Sequence, residues 1–346
     1  MAIYNSFRIL ISEQPSLFQP DRDKKEIFKE VLNRLVDIKR EEFIYKGSRH
    51  IWFYLLEPSS NLYIFQFAKE ERFNTPREVD GKIQIVVDIR VPYINVIIDW
   101  ERQIFLIENK PSVFQSMDLI VQRLESYFES QINARTHANY KITLSAISRD
   151  VDFWNEVNEA DRIYSLELAF NPPNMFEGRH EASELVKEAY GATKFSRFKL
   201  VFISDKGRLK VLRDNFKDFI SLIASGGGSY LLKMVRSKGK KKESTRVNSR
   251  YFASQQTLPD DITQLKEEEL NTKLRVIDKQ NEDNKLIDSS KPASNDDSTP
   301  LIGPTSPDDM KTTKAVKLPR TAKKKKGNGP KNDTSDNIGS TDSTEQ

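Results

Sequence analysis

The sequence predicts an α+β protein in which an antiparallel meander sheet with two helices is followed by an α/β sandwich and a disordered C-terminal tail. Strand-like runs crowd residues 50–109 and leave no room for helices between them. Strand-like and helix-like runs then alternate over residues 140–236, and no aromatic residue follows Phe252. The predicted domains are 1–136, 137–253 and 254–346.

The first domain begins with a strand and a helix. The run "IYNSFRILIS" is rich in β-branched and aromatic residues, which is typical of a strand. In "DKKEIFKEVLNRLVDIK" the apolar residues recur at helical spacing, and Asp21 or Asp23 stands where a helix cap is expected. This spacing predicts a buried face made of Ile27, Val31, Leu32, Leu35 and Ile38.

Closely spaced strands are predicted to follow, at 50–57, 62–68, 82–91, 93–99 and 103–109. Because their connections are too short for helical crossovers, consecutive strands are expected to pair antiparallel. Polar and apolar residues alternate over 82–91, which predicts one solvent-facing side and one buried side. A helix that Ser112 caps is predicted next, and its buried residues are Met117, Ile120, Leu124 and Phe128.

The second domain alternates strands with helices. Predicted strands at 140–147, 162–170, 195–203 and 229–236 are separated by predicted helices at 152–160, 180–190 and 209–224, and a short strand is predicted within 244–252. This order predicts an α/β sandwich with helices on one sheet face, and a ferredoxin-like arrangement is one form of it.

The third domain has a different composition. Beyond residue 253, Ser, Thr, Asn, Asp, Pro and Lys dominate. Such a segment buries too little apolar surface to offset the entropy lost on ordering its backbone. We therefore predict disorder, with a transient helix near 262–275.

Composition and motifs exclude several functions. There is no cysteine, which excludes disulfides, zinc fingers, iron–sulfur clusters and thiol catalysis. His50, His137 and His180 are isolated, so each is expected at the surface or in a capping role, and neither GxSxG nor GxxxxGK[ST] occurs. We predict no cofactor and no metal. No run approaches 18 apolar residues, so we also predict no membrane partner and a cytoplasmic location.

A cluster of basic residues is the strongest local charge signal, because the net charge of +4 is small for 346 residues. Glu243 is its one acidic interruption, and Tyr230 and Tyr251 flank it. Cations beside aromatic rings suit contact with phosphates and stacking on bases; the alternative is a solvated hairpin tip. The predicted nucleic-acid-binding residues are Tyr230, Lys233, Arg236, Lys238, Lys240, Lys241, Lys242, Arg246 and Arg250.

Glycines 226–228 stand between this cluster and the preceding helix. A phosphate-binding loop has the order strand, glycines, helix, since the helix N-terminus faces the anion. Here the order is helix, glycines, strand. The glycines therefore indicate a helix stop, with close approach of the backbone to a ligand as the alternative.

The run "IIDWERQIFLIENK" resembles the D…ExK arrangement of metal-dependent nucleases. Asp99, Glu108 and Lys110 are the candidate catalytic residues, with Asp88 as a substitute for Asp99. If 99–103 form a turn, Glu108 falls opposite Ile94, roughly 16 Å along the strand from Asp99. Carboxylates that far apart cannot share one ion, and Asp88 is expected on the other sheet face.

Residues 1–252 also resemble uncharacterised bacterial proteins with domains of unknown function that occur in anti-phage defence neighbourhoods. The resemblance depends on "VPYINVIIDWERQIFLIENKPSVF", "LELAFNPPN", "FKLVFISDKGRLK" and "FISLIASGGGSYLLKM". It implies a cytoplasmic bacterial accessory or effector protein, and it brings no catalytic residues.

The leading hypothesis is a non-enzymatic protein that binds nucleic acid, another polyanion or a nucleic-acid-associated protein through residues 230–250. One alternative is a metal-dependent nuclease of the D…ExK type. Another is a protein-interaction scaffold whose tail recruits partners. Oligomeric state is left open.

Overall fold

The computed structural model describes residues 1–13, 23–136, 139–172, 181–193, 195, 197–238 and 241–279. All of these residues belong to one compact unit, Met1–Lys291. The part of the predicted disordered tail beyond residue 279 lies outside the described residues.

The α+β class is confirmed. The strands are β1 (Ala2–Glu13), β2 (Arg40–Tyr45), β3 (Ser48–Ser59), β4 (Leu62–Lys69), β5 (Glu71–Val79), β6 (Lys82–Arg90), β7 (Tyr93–Asp99), β8 (Ile104–Glu108), β9 (Tyr140–Ala146), β10 (Arg162–Phe170), β11 (Phe198–Ile203), β12 (Gly228–Lys238), β13 (Lys241–Asn248) and β14 (Gln255–Leu258). The helices are α1 (Lys24–Ile38), α2 (Met117–Thr136), α3 (Asp150–Asn158), α4 (Glu181–Thr193), α5 (Arg213–Leu222) and α6 (Glu267–Lys279).

The larger sheet has eight strands and curls into a half-barrel. Its order is β14-β1-β8-β7-β4-β3-β2, and β9 pairs with β1 alongside β14. Its described strand pairs are antiparallel, and β3–β4 and β7–β8 are consecutive pairs that the short connections predict. The pairing is not a simple meander, because β4 pairs with β7 and the chain between them leaves the sheet.

Helices cover both faces of this sheet. Along β7, Val96 and Ile98 join the core beneath α1 and α2, whereas Ile97 joins a second core beneath α6. Alternate side chains of a strand point to opposite faces. The near-continuous apolar sequence of β7 and β8 therefore reflects a sheet that is buried on both sides.

The predicted face of α1 is confirmed except at its end. Ile27, Val31, Leu32 and Leu35 are buried, but Ile38 is 39% exposed. Asp23 is the cap, since its Oδ1 accepts a hydrogen bond from Lys25 N–H at 2.9 Å. The predicted cap at Ser112 is wrong, because α2 begins at Met117.

Helix α6 and strand β14 correct the third predicted domain, which began at residue 254. Leu270, Leu274 and Ile277 are spaced as one helical face and are almost fully buried against the larger sheet. Leu258 of β14 is buried with them. The segment is polar in overall composition, but its few apolar residues form one buried stripe. The folded part of the described chain therefore extends to residue 279.

Strand β9 is predicted in the second domain, but it belongs to the larger sheet. It pairs with β1 in the larger sheet rather than with the strands that follow it. Helix α2 covers its other edge: Glu125 accepts a hydrogen bond from Leu144 N–H at 2.8 Å, and Asn133 accepts one from Tyr140 N–H at 2.7 Å. These side chains of α2 accept the backbone hydrogen bonds that a further strand would accept at this edge of the sheet.

The smaller sheet has four strands in the order β11-β10-β12-β13. Residues of α3, α4 and α5 share one core with its inner face, which confirms the α/β sandwich. Its printed strand pairs are antiparallel. In a ferredoxin-like sheet, the two strands that a helix connects are parallel and have a third strand between them. Here β10 and β11, which α4 connects, are adjacent and antiparallel, so this sheet differs from that alternative.

Strands β5 and β6 form a separate two-stranded hairpin. The buried face predicted for residues 82–91 is wrong, because Ile83 and Ile85 are 81% and 73% exposed and Val87 and Ile89 are also exposed. Alternation alone identifies an apolar face without showing what covers it.

Candidate functional site

The hairpin of β12 and β13 divides the predicted basic cluster between two faces. Lys233 is paired with Arg246, and Ser237 with Lys242, on the side opposite the helices. Leu232 and its partner Val247 point inward to the helices. Lys233, Lys242 and Arg246 are exposed. Strand alternation thus brings these three predicted residues to one outer surface.

Strand β10 adds a cation that the sequence did not indicate. Arg162 is paired with Val235, the residue two positions after Lys233, so it belongs to the same outer face. Arg162 is also exposed. We call Arg162, Lys233, Lys242 and Arg246 the basic face.

Two carboxylates lie near the basic face: Asp161 accepts a hydrogen bond from Ser237 Oγ, and Glu167 is the second. Glu167 points the same way, because it is paired with Leu231, but it forms an ion pair with Lys199 at 2.5 Å. Within the described ranges, no ion pair involves a residue of the basic face. These charges are therefore available to an external anion.

Two predicted binding residues, Arg236 and Arg250, form ion pairs with helices or with residues next to them. Arg236 points inward and forms ion pairs with Glu156 of α3 and with Glu159, the residue that follows this helix. Arg250 pairs with Asp118 of α2 at 3.2 Å. Their charges are already matched within the protein, so we do not include either arginine in the basic face.

Tyr230 is also not available for stacking on a base. It is 3% exposed, and its ring packs edge-on against Phe153 with centroids 4.8 Å apart. Burial raises the pKa of its hydroxyl above the usual range. Tyr230 precedes Leu232 by two residues, which places both on the inner, helix-covered face.

Two of the remaining predicted lysines end the strands of the hairpin. Lys238 and Lys241 are paired at the ends of β12 and β13. Lys240 lies outside the described residues, as does a further run of four lysines at 323–326.

The glycine stretch is a helix stop, as its order in the chain predicts. Gly226 has φ +94°, a left-handed conformation that ends the turn after α5. A Cβ atom there would lie 2.7 Å from Cβ of Arg8, and one at Gly228 would lie 2.2 Å from the carbonyl oxygen of Ala169. The close approaches are to the protein's own backbone and side chains.

A cleft adjoins the basic face at Arg162. Its volume is about 850 Å³, and it includes Tyr164 together with the segment that follows β11. In that segment, Lys206, Arg208 and Lys210 are exposed, whereas the alternating residue Leu209 packs on the core. The cationic surface therefore continues from the sheet into a concave site. Asp161 and Asp205 also line it.

Gly207 shapes this cleft. It has φ +67°, and a Cβ atom would lie 2.9 Å from the Tyr164 ring. Residues 204–207 form a turn, in which Gly207 N–H donates to the Ser204 carbonyl at 2.9 Å. Lys206, Arg208 and Lys210 are not among the binding residues that the sequence predicts.

The nuclease candidates do not converge. Asp99 is paired with Ile104, so the assumed register is wrong by one residue and Glu108 lies opposite Asn95. Four residues of strand, about 13 Å, separate Asp99 from Glu108 along the ladder. Asp88 lies on the separate hairpin, where it pairs with Arg77 at 2.7 Å.

Each of these residues has a local role instead. Burial raises the pKa of Asp99, while hydrogen bonds from the backbone and guanidinium of Arg102 oppose that rise. Glu108 accepts hydrogen bonds from Asn95 N–H at 2.8 Å and from its side-chain amide at 3.0 Å. Lys110 lies over the Tyr93 ring at 5.1 Å.

His50 is buried rather than at the surface. Arg123 Nε–H donates to its Nε2 at 3.1 Å, and its ring stacks on Phe67 with centroids 5.4 Å apart. Burial, followed by the charge of Arg123, lowers the pKa of His50 to about 4. A neutral core histidine is the result. His137 and His180 lie outside the described residues.

No group of three or more histidine, cysteine, aspartate or glutamate side chains that could hold a metal ion occurs in the described part of the chain. Among the same residues, no helix combines the length and apolar character that crossing a membrane requires.

The chain was also compared with known proteins. No protein-family model, curated protein or solved structure matches it.

Proposed function

We propose that the basic face binds single-stranded nucleic acid by contacting its phosphates, and that the protein acts as a binding protein rather than an enzyme. The observation that carries this proposal is the group of exposed cations on the uncovered side of a sheet, which have no ion-pair partner among the described residues. Such cations release counterions from the nucleic acid when they bind.

The dimensions of the basic face suit a strand. Lys242 and Arg246 are four residues apart on β13, which is about 13 Å at roughly 3.3 Å per residue. Lys233 and Arg162 add charges on the two strands beyond it. A flexible backbone laid across the sheet can meet several of these cations together.

The cleft extends this path. Lys206, Arg208 and Lys210 continue the positive charge beyond Arg162, and Tyr164 supplies an aromatic ring in the concave part. Stacking on aromatic rings is tolerant of base identity. We therefore expect weak sequence preference and affinity that depends mainly on charge.

Charge reversal tests the proposal. Lys233→Glu combined with Arg246→Glu should weaken binding of the full chain to a fluorescent oligothymidine of about 20 nucleotides by about tenfold or more at low salt, because two phosphate contacts become repulsive. Fluorescence anisotropy measures this. Lys217→Glu, on α5 at the opposite side of the sandwich, is the control and should change affinity little.

Equal loss of affinity in the double variant and in Lys217→Glu would show a diffuse effect of net charge and overturn the proposed site. Unchanged affinity in the double variant would do the same. Circular dichroism should show that the double variant stays folded, since both side chains are exposed.

The bacterial, cytoplasmic and anti-phage setting belongs to this proposal as well, and its support is the sequence resemblance alone. If the setting is correct, the double variant should lose protection in a phage plating assay while being expressed normally. The nuclease alternative receives no support from the positions of Asp88, Asp99, Glu108 and Lys110.

A further inference from the structure

The β5–β6 hairpin presents an uncovered apolar face. Ile83, Ile85, Val87 and Ile89 follow one another on the same side of β6, with exposures of 81%, 73%, 55% and 59%. Single exposed apolar residues are ordinary, but a continuous row marks a surface that another molecule covers.

The rest of the described chain does not cover this row. Among the described residues, β5 and β6 pair only with each other. A two-stranded hairpin is marginally stable in water by itself. Asp80 and Gly81 form its turn with φ of 54° and 73°, the left-handed pair that suits a tight hairpin. The turn therefore favours the hairpin, and the apolar row is left facing solvent.

The opposite face of the hairpin is mostly polar, although Phe73 and Val86 belong to it. Arg77 and Asp88 form an ion pair at 2.7 Å, and the Arg90 guanidinium lies over Phe73 at 5.2 Å. Gln84 is exposed on this side. The exposed apolar row lies on one face only, so a partner that covers this row binds that face.

We propose that a second copy of this chain covers the apolar row, so that two hairpins stack face to face about a two-fold axis. The argument comes from the residues of β5 beside the row. Glu78 is paired with Ile83 at the tip of the hairpin, and Arg72 is paired with Ile89 at its base.

A two-fold axis lying between the faces and across the strands reverses one hairpin relative to the other. Ile83 of each copy then meets Ile89 of its partner, and Ile85 meets Val87. The same operation places Glu78 of each copy against Arg72 of its partner, because these residues lie at opposite ends of β5. The face is thus complementary to itself in both apolar and charged residues.

Arg72 has room for this contact. Its side chain is 68% exposed, and its Nε pairs with Glu70 at 2.9 Å. The guanidinium has further donors that can reach another carboxylate. Each dimer would contain this contact twice.

The area predicts a weak dimer. A hairpin of nine-residue strands is about 30 Å long and roughly 10 Å wide. The area of one hairpin face is therefore about 300 Å². A standard interface buries roughly 800 Å² per partner, so the hairpin face is smaller. We therefore expect monomers and dimers to exchange, with a dissociation constant on the order of micromolar or weaker.

Sedimentation velocity of the full chain over a wide range of concentrations tests the dimer. The wild-type protein should dimerise with rising concentration, whereas Ile85→Asp combined with Val87→Asp should remain monomeric. Gln84→Asp, on the polar face of the same strand, should dimerise as the wild type does. A wild-type protein that stays monomeric at every concentration would overturn the proposal.

Charge exchange tests the stated geometry. Arg72→Glu and Glu78→Arg should each weaken self-association by about fivefold or more, because each places like charges at both contacts. An equimolar mixture of the two variants should dimerise, and so should the double variant. Loss of association in the singles without recovery in the mixture would reject the two-fold arrangement. This outcome is independent of nucleic-acid binding.

Discussion

At the scale of single residues, backbone geometry explains positions that composition leaves ambiguous. Arg8 is buried in β1, and its guanidinium donates to the Ser225 carbonyl at 2.8 Å and to Asp278 of α6 at 2.8 Å. Gly226 lies directly against it. One glycine therefore lets the turn after α5 close onto a buried arginine that also holds α6.

Gly226→Ala should lower the free energy of unfolding by about 1–3 kcal/mol, because the new Cβ meets Arg8 and φ is left-handed. Urea unfolding at equilibrium measures the loss. Gly191→Ala in α4 is the control, since nothing lies within 4 Å of its Cβ position. Alanine there should be neutral or slightly stabilising, and equal destabilisation by both would contradict the account.

At the scale of elements, α6 shows that a polar segment can be part of the core. Its charged and polar residues outnumber its apolar ones, yet the buried stripe closes one face of the larger sheet. The sequence predicts a transient helix near residues 262–275, which overlaps α6. The apolar surface of β7 and β8 that stabilises this helix is formed only in the folded sheet.

Leu274→Ala should destabilise the protein by about 2–5 kcal/mol, because it empties a fully buried position. Val276→Ala on the same helix should change stability by about 0.5 kcal/mol or less, since Val276 is 51% exposed. Thermal and urea unfolding measure both. Similar effects from the two substitutions would mean that α6 is not packed as described.

At the scale of the whole molecule, charge is local rather than general. Acidic residues nearly balance basic ones, and the net charge is +4. The strand register gathers some cations on one face and directs others to carboxylates of α2 and α3. Binding through such a face should depend on salt in proportion to the phosphates contacted.

Removing two contacts should reduce the slope of log Kobs against log salt concentration by about 1.4, at about 0.7 per phosphate of a single strand. Anisotropy titrations of the wild type and of Lys233→Glu with Arg246→Glu, over a series of salt concentrations, measure the difference. An unchanged slope would place the phosphate contacts elsewhere on the chain.

Local patterns predicted much of the fold. The spacing of Ile27, Val31 and Leu35 located α1, and the short connections predicted the antiparallel pairs β3–β4 and β7–β8. The candidate site was predicted in part: Lys233, Lys242 and Arg246 share a face, but Arg162 joins them from a strand about 70 residues earlier in the chain. Register between distant strands has no local signature.

The sequence by itself determined the α+β class, the helix stop at Gly226 and the clustering of cations in β12 and β13, because these depend on periodicity and on the conformations that each residue allows. Only the tertiary structure decided that α6 is buried, that Arg236 and Arg250 are already paired, and that the apolar row of β6 faces solvent. Burial and charge pairing are relations between segments far apart in the chain, and no residue carries them alone.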